Sequence, residues 1–319
     1  MSWPQTQIGQ ADRYGGTTYS GVRPRIARPT NSLRYLMTII ITGAGGLVGS
    51  HLSRALTSED VVIALTHRDL DITDSRAIND LLKREQPSLV INTAVVGVDE
   101  CEKDPKLAEA INVTGPRNLA EACAEVDAEF LHFSSNYVFD GKRTDGREYT
   151  IADVPQPINI YGLTKLQGER VACAVSRRTY IIRTSWVFGS GKQSFLSSAY
   201  ENLMRGVPIR AITDTYARVT CVHDLVNRTK EILARRTYGT YHVVNEGTCS
   251  YYDFALECAR LAQLSGTQTQ QLIESITEAE MHRFAPRPCW TPMRCLLSWK
   301  LGLKPMCNWR SALANYLHT

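Results

Sequence analysis

Apolar residues follow two alternating patterns along the chain. Short, continuous apolar runs predict buried strands at 39–42, 61–66, 88–92, 129–134 and 179–184. Between these runs, apolar residues recur at helical spacing, which predicts helices at 46–56, 75–84, 107–125 and 159–176. Strands without a polar face need helices on both sides, and this is typical of a parallel sheet. Because parallel strands are joined by right-handed crossovers, the pattern predicts an α/β fold built on a doubly wound parallel sheet.

The regular alternation ends after residue 184. Beyond it, we predict helices at 194–205, 223–235 and 252–264, and one short strand at 241–245. The chain therefore divides into a domain that holds the sheet, 37–184, and a smaller C-terminal lobe, 185–319, that binds the substrate over the carboxyl ends of the strands. Residues 1–36 are rich in Gly, Pro, Arg, Thr and Ser without periodicity, which predicts a disordered extension. Met37 stands directly before the first strand, so an upstream start codon would explain the extension.

Composition and charge exclude several classes of binding partner. The chain has 319 residues, 43% hydrophobic and 21% charged, as in ordinary globular proteins. Its net charge is only +4, and no basic block is interleaved with aromatic residues, so we expect no nucleic-acid partner. No apolar run approaches the roughly 20 residues that cross a bilayer, so we expect no membrane partner. Nine cysteines are scattered without zinc-site spacing, which predicts reduced thiols, no metal site and a cytoplasmic location.

Three glycines connect the first strand to the first helix. Gly43, Gly46 and Gly49 are spaced three residues apart. Without a Cβ atom they allow a tight turn, in which backbone N–H groups approach a pyrophosphate at the positive end of a helix. This strand–turn–helix context predicts a dinucleotide-binding domain of the Rossmann type, with Leu47 and Val48 beside the glycines at the cofactor.

The end of the second strand bears on the choice of dinucleotide. An acidic residue there binds the ribose 2′-hydroxyl of NAD, whereas a basic residue accepts the 2′-phosphate of NADP. His67 and Arg68 come first and Asp69 follows. The order favours NADP(H) over NAD(H), with Arg68 as the phosphate ligand, while Asp69 leaves NAD open.

Tyr161 and Lys165 lie four residues apart, on one face of a predicted helix. An ammonium beside a phenol favours the phenolate and is expected to lower the pKa of Tyr161, and Lys165 can also hold the nicotinamide ribose. Ser135 ends the fourth strand, where its hydroxyl can bond a substrate carbonyl. Together the three groups can polarise a ketone and protonate the alkoxide as hydride arrives, which predicts a reductase.

Beyond these residues, the chain resembles the extended short-chain dehydrogenases/reductases, and more narrowly the dTDP-4-dehydrorhamnose reductase family. The resemblance runs from Met37 to the C-terminus and rests on 43–49, 70–74, 92–94, 98–102, 112–113, 132–141, 161–165, 183–189 and 287–288. The most specific segment is Arg183-Thr184-Ser185-Trp186-Val187-Phe188-Gly189, because sugar-nucleotide epimerases and dehydratases usually carry a different strand there.

The resemblance implies a catalytic group of Ser135, Tyr161 and Lys165. Asn112 would complete it by holding a water that relays protons to Lys165. For the cofactor, the resemblance implies further contacts, by Asp71 and Ile72 at the adenine and by Ala94 near the nicotinamide.

The resemblance also implies a nucleotide-sugar substrate. Tyr137 and Trp186 would contact the sugar, with Asn136 in the same pocket, and Arg287 would face the diphosphate, which suits its planar, bidentate side chain. Asn136 stands where the family commonly has an aspartate, and the loop 92–99 is one residue shorter than the family's. Both departures lie in the expected substrate pocket, so they leave the identity of the sugar open.

The residues leave other functions open beside the reduction of a 4-keto nucleotide sugar such as dTDP-4-dehydrorhamnose. An epimerase or dehydratase of nucleotide sugars would keep its cofactor bound through the reaction. A different class of relative, the regulatory subunit of methionine adenosyltransferase, binds NADP without catalysis. Ser135, Tyr161 and Lys165 favour an enzyme over such a binding protein. A homodimer is also compatible with the sequence.

Overall fold

A computed structural model describes residues 36–318, except for the side chains of residues 298 and 299. Twelve strands lie in this part of the chain: β1 Thr38–Thr42, β2 Val61–Leu65, β3 Leu89–Asn92, β4 Glu129–Ser135, β5 Thr179–Thr184, β6 Val187–Phe188, β7 Ile209–Ile212, β8 Tyr216–Ala217, β9 Thr220–Cys221, β10 Gly239–His242, β11 Cys249–Ser250 and β12 Ile273–Ile276. Six of them form one parallel sheet in the order β10-β5-β4-β3-β1-β2. The order reverses between β1 and β3, which is the place where sheets of this kind bind ligands.

Twelve α-helices accompany the strands within the described residues: α1 Leu47–Thr57, α2 Ser75–Glu85, α3 Val98–Lys103, α4 Pro105–Glu109, α5 Gly115–Glu125, α6 Ile160–Val175, α7 Phe195–Met204, α8 Val222–Arg235, α9 Tyr251–Leu261, α10 Gly266–Leu272, α11 Leu297–Leu301 and α12 Trp309–Leu317. A π-helical turn at Ala110–Thr114 joins α4 to α5, and short 3-10 turns lie at Asn136–Val138 and Ala279–Met281.

The inner strands of the main sheet are buried on both faces, because successive side chains of a strand point to opposite sides. The prediction of a buried strand at 61–66 is corrected, since β2 lies at the edge of the sheet and none of its residues is fully buried. Ile39 and Ile41 of β1 pack with residues of α1 and α8, whereas Ile40 packs with residues of α2, α5 and α6. The prediction of a doubly wound parallel sheet is therefore confirmed.

The C-terminal half has an apolar cluster of its own, which α7, α9 and α12 build around Phe188, Phe254 and Trp309. It also contributes to the main sheet. The strand predicted at 241–245 is β10, which pairs with β5 so that His242 lies opposite Arg183. The division of the chain at residue 184 stays a prediction, and the predicted extension 1–36 lies, apart from Leu36, outside the described residues.

The helix predicted at 107–125 is broken, and this is a correction. α4 ends at Glu109, and the π-helical turn separates it from α5. Proline has no amide hydrogen, so Pro116 cannot donate the usual helical bond to the carbonyl of Asn112. The wider turn brings that carbonyl against α6, where a Cβ atom added to Gly168 would meet it closer than real Cβ atoms approach.

Candidate active site

The glycine turn after β1 forms a cradle that a side chain would fill. Gly43 adopts φ +71°, and a Cβ atom there would lie 2.5 Å from the backbone nitrogen of Ala94. A Cβ atom on Gly49 would lie 2.5 Å from the carbonyl oxygen of Gly43. α1 begins at Leu47 without a side-chain cap, and Gly46 at its N-cap is exposed. Uncapped amides at the positive end of a helix fit a pyrophosphate, so the donor set suits a dinucleotide.

Beyond β2, the two acidic residues near the expected ribose and adenine are engaged in turns. The Asp69 carboxylate accepts bonds from the amide and hydroxyl of Thr66, at 2.8 and 2.7 Å. Asp71 accepts in the same way from Thr73. The Arg68 side chain is exposed, and Ile72 is buried. The exposed Arg68 guanidinium makes no side-chain hydrogen bond within the described residues, whereas both carboxylates are engaged.

Ser135 and Tyr161 meet at the carboxyl end of β4. The Ser135 hydroxyl accepts a bond from the amide of Tyr137 at 3.2 Å and donates to Oδ1 of Asn136 at 3.1 Å. The ring of Tyr137 stands edge-on to the ring of Tyr161, with 5.7 Å between centroids. Gly162 permits this approach, because a Cβ atom there would collide with the Tyr137 carbonyl. The side chain of Asn159 caps α6 by accepting from the Gly162 amide at 2.7 Å, which fixes where the helix begins.

The titration of this pair differs from the expectation. Burial raises the pKa of Tyr161 to about 12, against the opposing effect of its hydrogen bond with Ser135. Burial also lowers the pKa of Lys165 to about 8, against the opposing charge of Glu169. The prediction that Lys165 lowers the pKa of Tyr161 is wrong in this structure. The physical reason is that burial disfavours the charged phenolate, while the Lys165 amine lies 3.2 Å from Nε2 of His132.

Asn112 lies in the π-helical turn and is fully buried. Its side-chain amide donates to Oγ1 of Thr164 at 3.1 Å and to the Cys101 sulfur at 3.5 Å, and its oxygen accepts from the Val96 amide at 3.4 Å. The side chain is therefore held by protein groups, and the backbone carbonyl is the part of Asn112 that faces α6 at Gly168. A water relay through Asn112 stays a prediction.

Two buried polar residues near Lys165, His132 and Asn92, have no role predicted from the sequence. His132 lies in the middle of β4 and is completely buried, and its Nδ1 is 3.1 Å from Nδ2 of Asn92 at the end of β3. Oδ1 of Asn92 accepts from the backbone amide of Ala94 at 3.0 Å. One signal could have found His132, since a histidine flanked by Phe130, Leu131 and Phe133 interrupts an apolar run.

The Asn136 side chain is buried and bonded on both sides. Its amide donates to Oγ1 of Thr291 at 2.7 Å, and its oxygen holds the Ser135 hydroxyl. The structure thus places Asn136 behind Ser135, joined to the C-terminal segment, rather than with a free amide facing a pocket. Its contact with a substrate stays a prediction.

Trp186 lies between β5 and β6 and is strained. It adopts φ +43°, which costs a non-glycine residue on the order of 1–3 kcal/mol. Its ring stacks on Tyr251 at 4.0 Å between centroids, and its buried indole Nε1 has no hydrogen-bond partner within the described part of the chain. Strain together with an unbonded donor is typical of a position kept for a ligand.

Arg287 is buried and paired. One guanidinium nitrogen donates to Asp99 at 2.8 Å and another to the carbonyl of Ala285 at 2.9 Å. The second oxygen of Asp99 accepts from the Ala285 amide. Asp99 therefore fastens the 285–287 segment to the start of α3. If Arg287 also contacts a diphosphate, as predicted, its guanidinium must bind the diphosphate and Asp99 at the same time.

Within residues 36–318, no group of three or more His, Cys, Asp or Glu side chains is arranged to hold a metal ion. All nine cysteines lie in this range and none forms a disulfide. No helix of the described chain is long and apolar enough to span a membrane.

Known proteins resemble this chain over most of its length. The family model of the RmlD substrate binding domain matches residues 37–319. The spore coat polysaccharide biosynthesis protein SpsK of Bacillus subtilis is 34% identical over 88% of this chain and 96% of its own. The dTDP-4-dehydrorhamnose reductase of Mycolicibacterium smegmatis is 35% identical over 86% of this chain and 83% of its own.

Solved structures of related proteins have a similar fold. The crystal structure of dTDP-4-dehydrorhamnose reductase from Bacillus anthracis in complex with NADP has a TM-score of 0.83 and 29% identity, and the match covers 89% of this chain and 99% of that one. The UDP-glucose 4-epimerase of Thermus thermophilus, solved with NAD, has a TM-score of 0.74 over 88% of this chain and 98% of that one. At 17% identity it shares the fold alone.

Proposed function

The chain belongs to the family of the RmlD substrate binding domain, and from that membership we propose that it reduces the 4-keto group of dTDP-4-dehydrorhamnose with NADPH. The observation that carries the proposal is the meeting of Ser135 with the Tyr161–Lys165 face of α6, in the same sheet as the glycine turn and with only β3 between β4 and β1. His132 and Asn92 connect Lys165 to Ala94, whose backbone packs on Gly43. The catalytic residues and the cofactor cradle therefore form one contiguous site.

The chemistry follows from where the protons are held. The bound cofactor supplies the hydride to the carbonyl carbon. When substrate binds, the Ser135 hydroxyl turns its proton from Oδ1 of Asn136 to the carbonyl oxygen, and Tyr161 transfers its phenolic proton to the same oxygen as negative charge develops there. A half-buried phenol with a pKa raised to about 12 stays protonated at neutral pH, which suits a proton donor. Lys165, one helical turn further on, holds the proton that restores the phenol.

The cofactor preference is proposed as NADP(H). The Asp69 carboxylate is occupied by Thr66, whereas the neighbouring Arg68 is exposed. A free guanidinium suits a 2′-phosphate, and an occupied carboxylate is a poor partner for a 2′-hydroxyl. Gly43, Gly46, Leu47, Val48 and Gly49 would hold the pyrophosphate, with Asp71 and Ile72 at the adenine.

The sugar nucleotide is proposed to lie between Tyr137 and Trp186. The unbonded indole N–H of Trp186 is a donor for a sugar oxygen, and the stack with Tyr251 holds the ring in place. Arg287 would face the diphosphate while it remains paired with Asp99. Asn136 would act through Ser135, whose hydroxyl it orients.

The test is turnover of purified protein on a panel of 4-keto nucleotide sugars with NADPH. We expect oxidation of NADPH with dTDP-4-dehydrorhamnose, and a loss of about 10²–10⁴-fold in kcat for Tyr161→Phe with NADPH binding kept. The control is Tyr238→Phe, because Tyr238 lies at the opposite end of the sheet, where its hydroxyl bonds Glu129. It should reduce at the wild-type rate.

Two results would contradict the proposal. One is a wild-type protein that binds NADPH yet reduces no 4-keto sugar of the panel, as a regulatory binding protein would. The other is full turnover by Tyr161→Phe. The possible homodimer remains a prediction, which light scattering of the same preparation tests.

A further inference from the structure

The orientation of Asn92 can be assigned from its neighbours. Its Oδ1 accepts from the backbone amide of Ala94 at 3.0 Å and from the hydroxyl of Thr42 at 2.8 Å. A backbone N–H can only donate, so the oxygen of Asn92 must point to Ala94, and its NH2 group must point to His132. Turning the amide over would set two donors against each other.

The tautomer of His132 follows. Nδ1 of His132 lies 3.1 Å from the Asn92 NH2 group and must therefore accept. Burial, the larger of the two effects on His132, holds its pKa well below the ordinary value, so the ring is neutral even when Lys165 carries no charge. A neutral imidazole has one donor and one acceptor nitrogen. Its single proton is therefore on Nε2, the atom that faces Lys165.

With its proton on Nε2, His132 donates to Lys165, whereas a lysine side chain is usually the donor. Nε2 of His132 lies 3.2 Å from Nζ of Lys165. An ammonium can only donate, so it would confront the Nε2 proton, whereas a neutral amine accepts it through its lone pair. The ring cannot turn to avoid the conflict without breaking its bond with Asn92. The chain of bonds from Ala94 through Asn92 and His132 thus favours the neutral form of Lys165.

The other titratable groups around Lys165 do not favour its neutral form. Glu169, one turn along α6, favours the ammonium, but Arg183 of β5 binds it at 2.9 and 2.6 Å. Cys101 of α3 would also favour the ammonium if it were ionised, yet burial raises its pKa to about 11 and keeps it neutral. Tyr161 is neutral for the same reason. His132 is the group that contacts the amine itself.

We propose that His132, held in one tautomer by Asn92, is a positioning residue that stabilises the neutral amine of Lys165. In the proposed reduction, Tyr161 gives its proton to the substrate oxygen and Lys165 gives a proton to restore the phenol. The neutral amine that remains is the form that Nε2–H of His132 stabilises, so His132 makes Lys165 a more ready proton donor. The kinetic part of the inference rests on the proposed function, and the tautomer does not.

The first test needs no activity. Nitrogen-15 NMR of wild-type protein with labelled histidine distinguishes a protonated from an unprotonated ring nitrogen, and the spectrum of His132→Gln identifies the signals of His132. We expect a proton on Nε2 and none on Nδ1 at neutral pH. A proton on Nδ1, or on both nitrogens, overturns the proposal whether or not the protein turns over a sugar.

The second test reverses the tautomer. In Asn92→Asp, the carboxylate can accept from Ala94 and from Nδ1–H of His132, so Nε2 becomes an acceptor for the Lys165 ammonium. The alkaline limb of kcat/KM, which reports loss of a proton from the Tyr161–Lys165 pair, should move up by about one to two pH units. His242→Leu is the control, because it removes another buried histidine of the same sheet that does not contact Lys165.

In His242→Leu, the alkaline limb of kcat/KM should stay at the same pH as in the wild type. An unmoved limb in a folded, NADPH-binding Asn92→Asp protein overturns the proposal, as does an equal shift in His242→Leu. If Asn92→Asp does not fold, the NMR of the wild type still decides the tautomer. If the wild type reduces no sugar, the proposed function fails while the tautomer is still decided.

Discussion

Gly168→Ala tests the close contact between α6 and the π-helical turn. A Cβ atom at this position would collide with the backbone carbonyl of Asn112 and would lie 3.4 Å from Nε2 of His132. The Asn112 carbonyl cannot move like the end of a flexible side chain, because the turn around it is fixed by the side-chain bonds of Asn112 to Thr164 and Cys101. The helix and the turn would have to separate by roughly 1 Å to reach an ordinary contact.

Two opposing effects set the magnitude. Alanine is a better helix former than glycine by about 1 kcal/mol, which favours the variant. Forcing an extra methyl group into a packed interior costs about 1–3 kcal/mol, and the upper end applies where backbone meets backbone. We therefore expect the free energy of unfolding to fall by about 2 kcal/mol.

Urea unfolding followed by circular dichroism measures the change, with Gly266→Ala as the matched control. Gly266 opens α10, is exposed, and a Cβ atom there would have no neighbour within 4 Å. That variant should be as stable as the wild type or more stable, by up to about 1 kcal/mol. If Gly168→Ala is also as stable as the wild type, the helix and the turn are not packed as described, and the position assigned to the Asn112 carbonyl is wrong.

Three further changes probe other parts of the molecule. Removing the carboxylate in Glu169→Ala leaves Arg183 buried and unpaired, which should lower the free energy of unfolding by about 3–5 kcal/mol in urea, whereas Glu201→Ala, at an exposed pair, should change little. Arg68→Ala should raise KM for NADPH by about 10-fold or more and leave KM for NADH within a factor of two or so; equal effects on both would refute the assigned phosphate contact. Burial lowers the pKa of His242 from 6.5 to about 3, so below pH 6.5 the unfolded chain binds a proton that the folded chain does not, and stability falls by up to about 1.4 kcal/mol per pH unit down to the folded value. His242→Leu should make the pH dependence of unfolding shallower in that window, and an unchanged slope would show that His242 already titrates normally.

The sequence was sufficient for the parts of the fold that local patterns determine. Continuous apolar runs located the first five strands of the main sheet, and four of these strands are buried on both faces, whereas β2 lies at the edge of the sheet. The glycine spacing located the turn before α1, since only residues without Cβ fit where Gly43 meets Ala94. Helical spacing placed Tyr161 and Lys165 on one face of α6.

Features that depend on distant pairing were not predictable in the same way. The Asp99–Arg287 pair joins residues far apart in the chain, and β10 comes from the C-terminal half yet completes the main sheet. The break in the helix predicted at 107–125 did have a local signal. Pro116 lies four residues after Asn112, and helical periodicity of the apolar residues continues across it, so the pattern outweighed the missing amide hydrogen.

The buried face of α6 explains why the active site departs from the apolar pattern. Tyr161, Lys165, Gly168 and Glu169 follow helical spacing, so they lie on one side of the helix, where an ordinary buried helix presents apolar residues. Each of them instead contacts something that an apolar side chain could not serve: Tyr161 the Ser135 hydroxyl, Lys165 the His132 ring, Gly168 a backbone carbonyl, and Glu169 the Arg183 guanidinium. A polar face of this kind is stable only when every group on it is satisfied, because an unpaired buried charge or donor costs several kcal/mol. The tautomer of His132 is one of the conditions that satisfies it, and for that reason a single change at Asn92 should be felt in the titration of Lys165, two residues away along the chain of bonds.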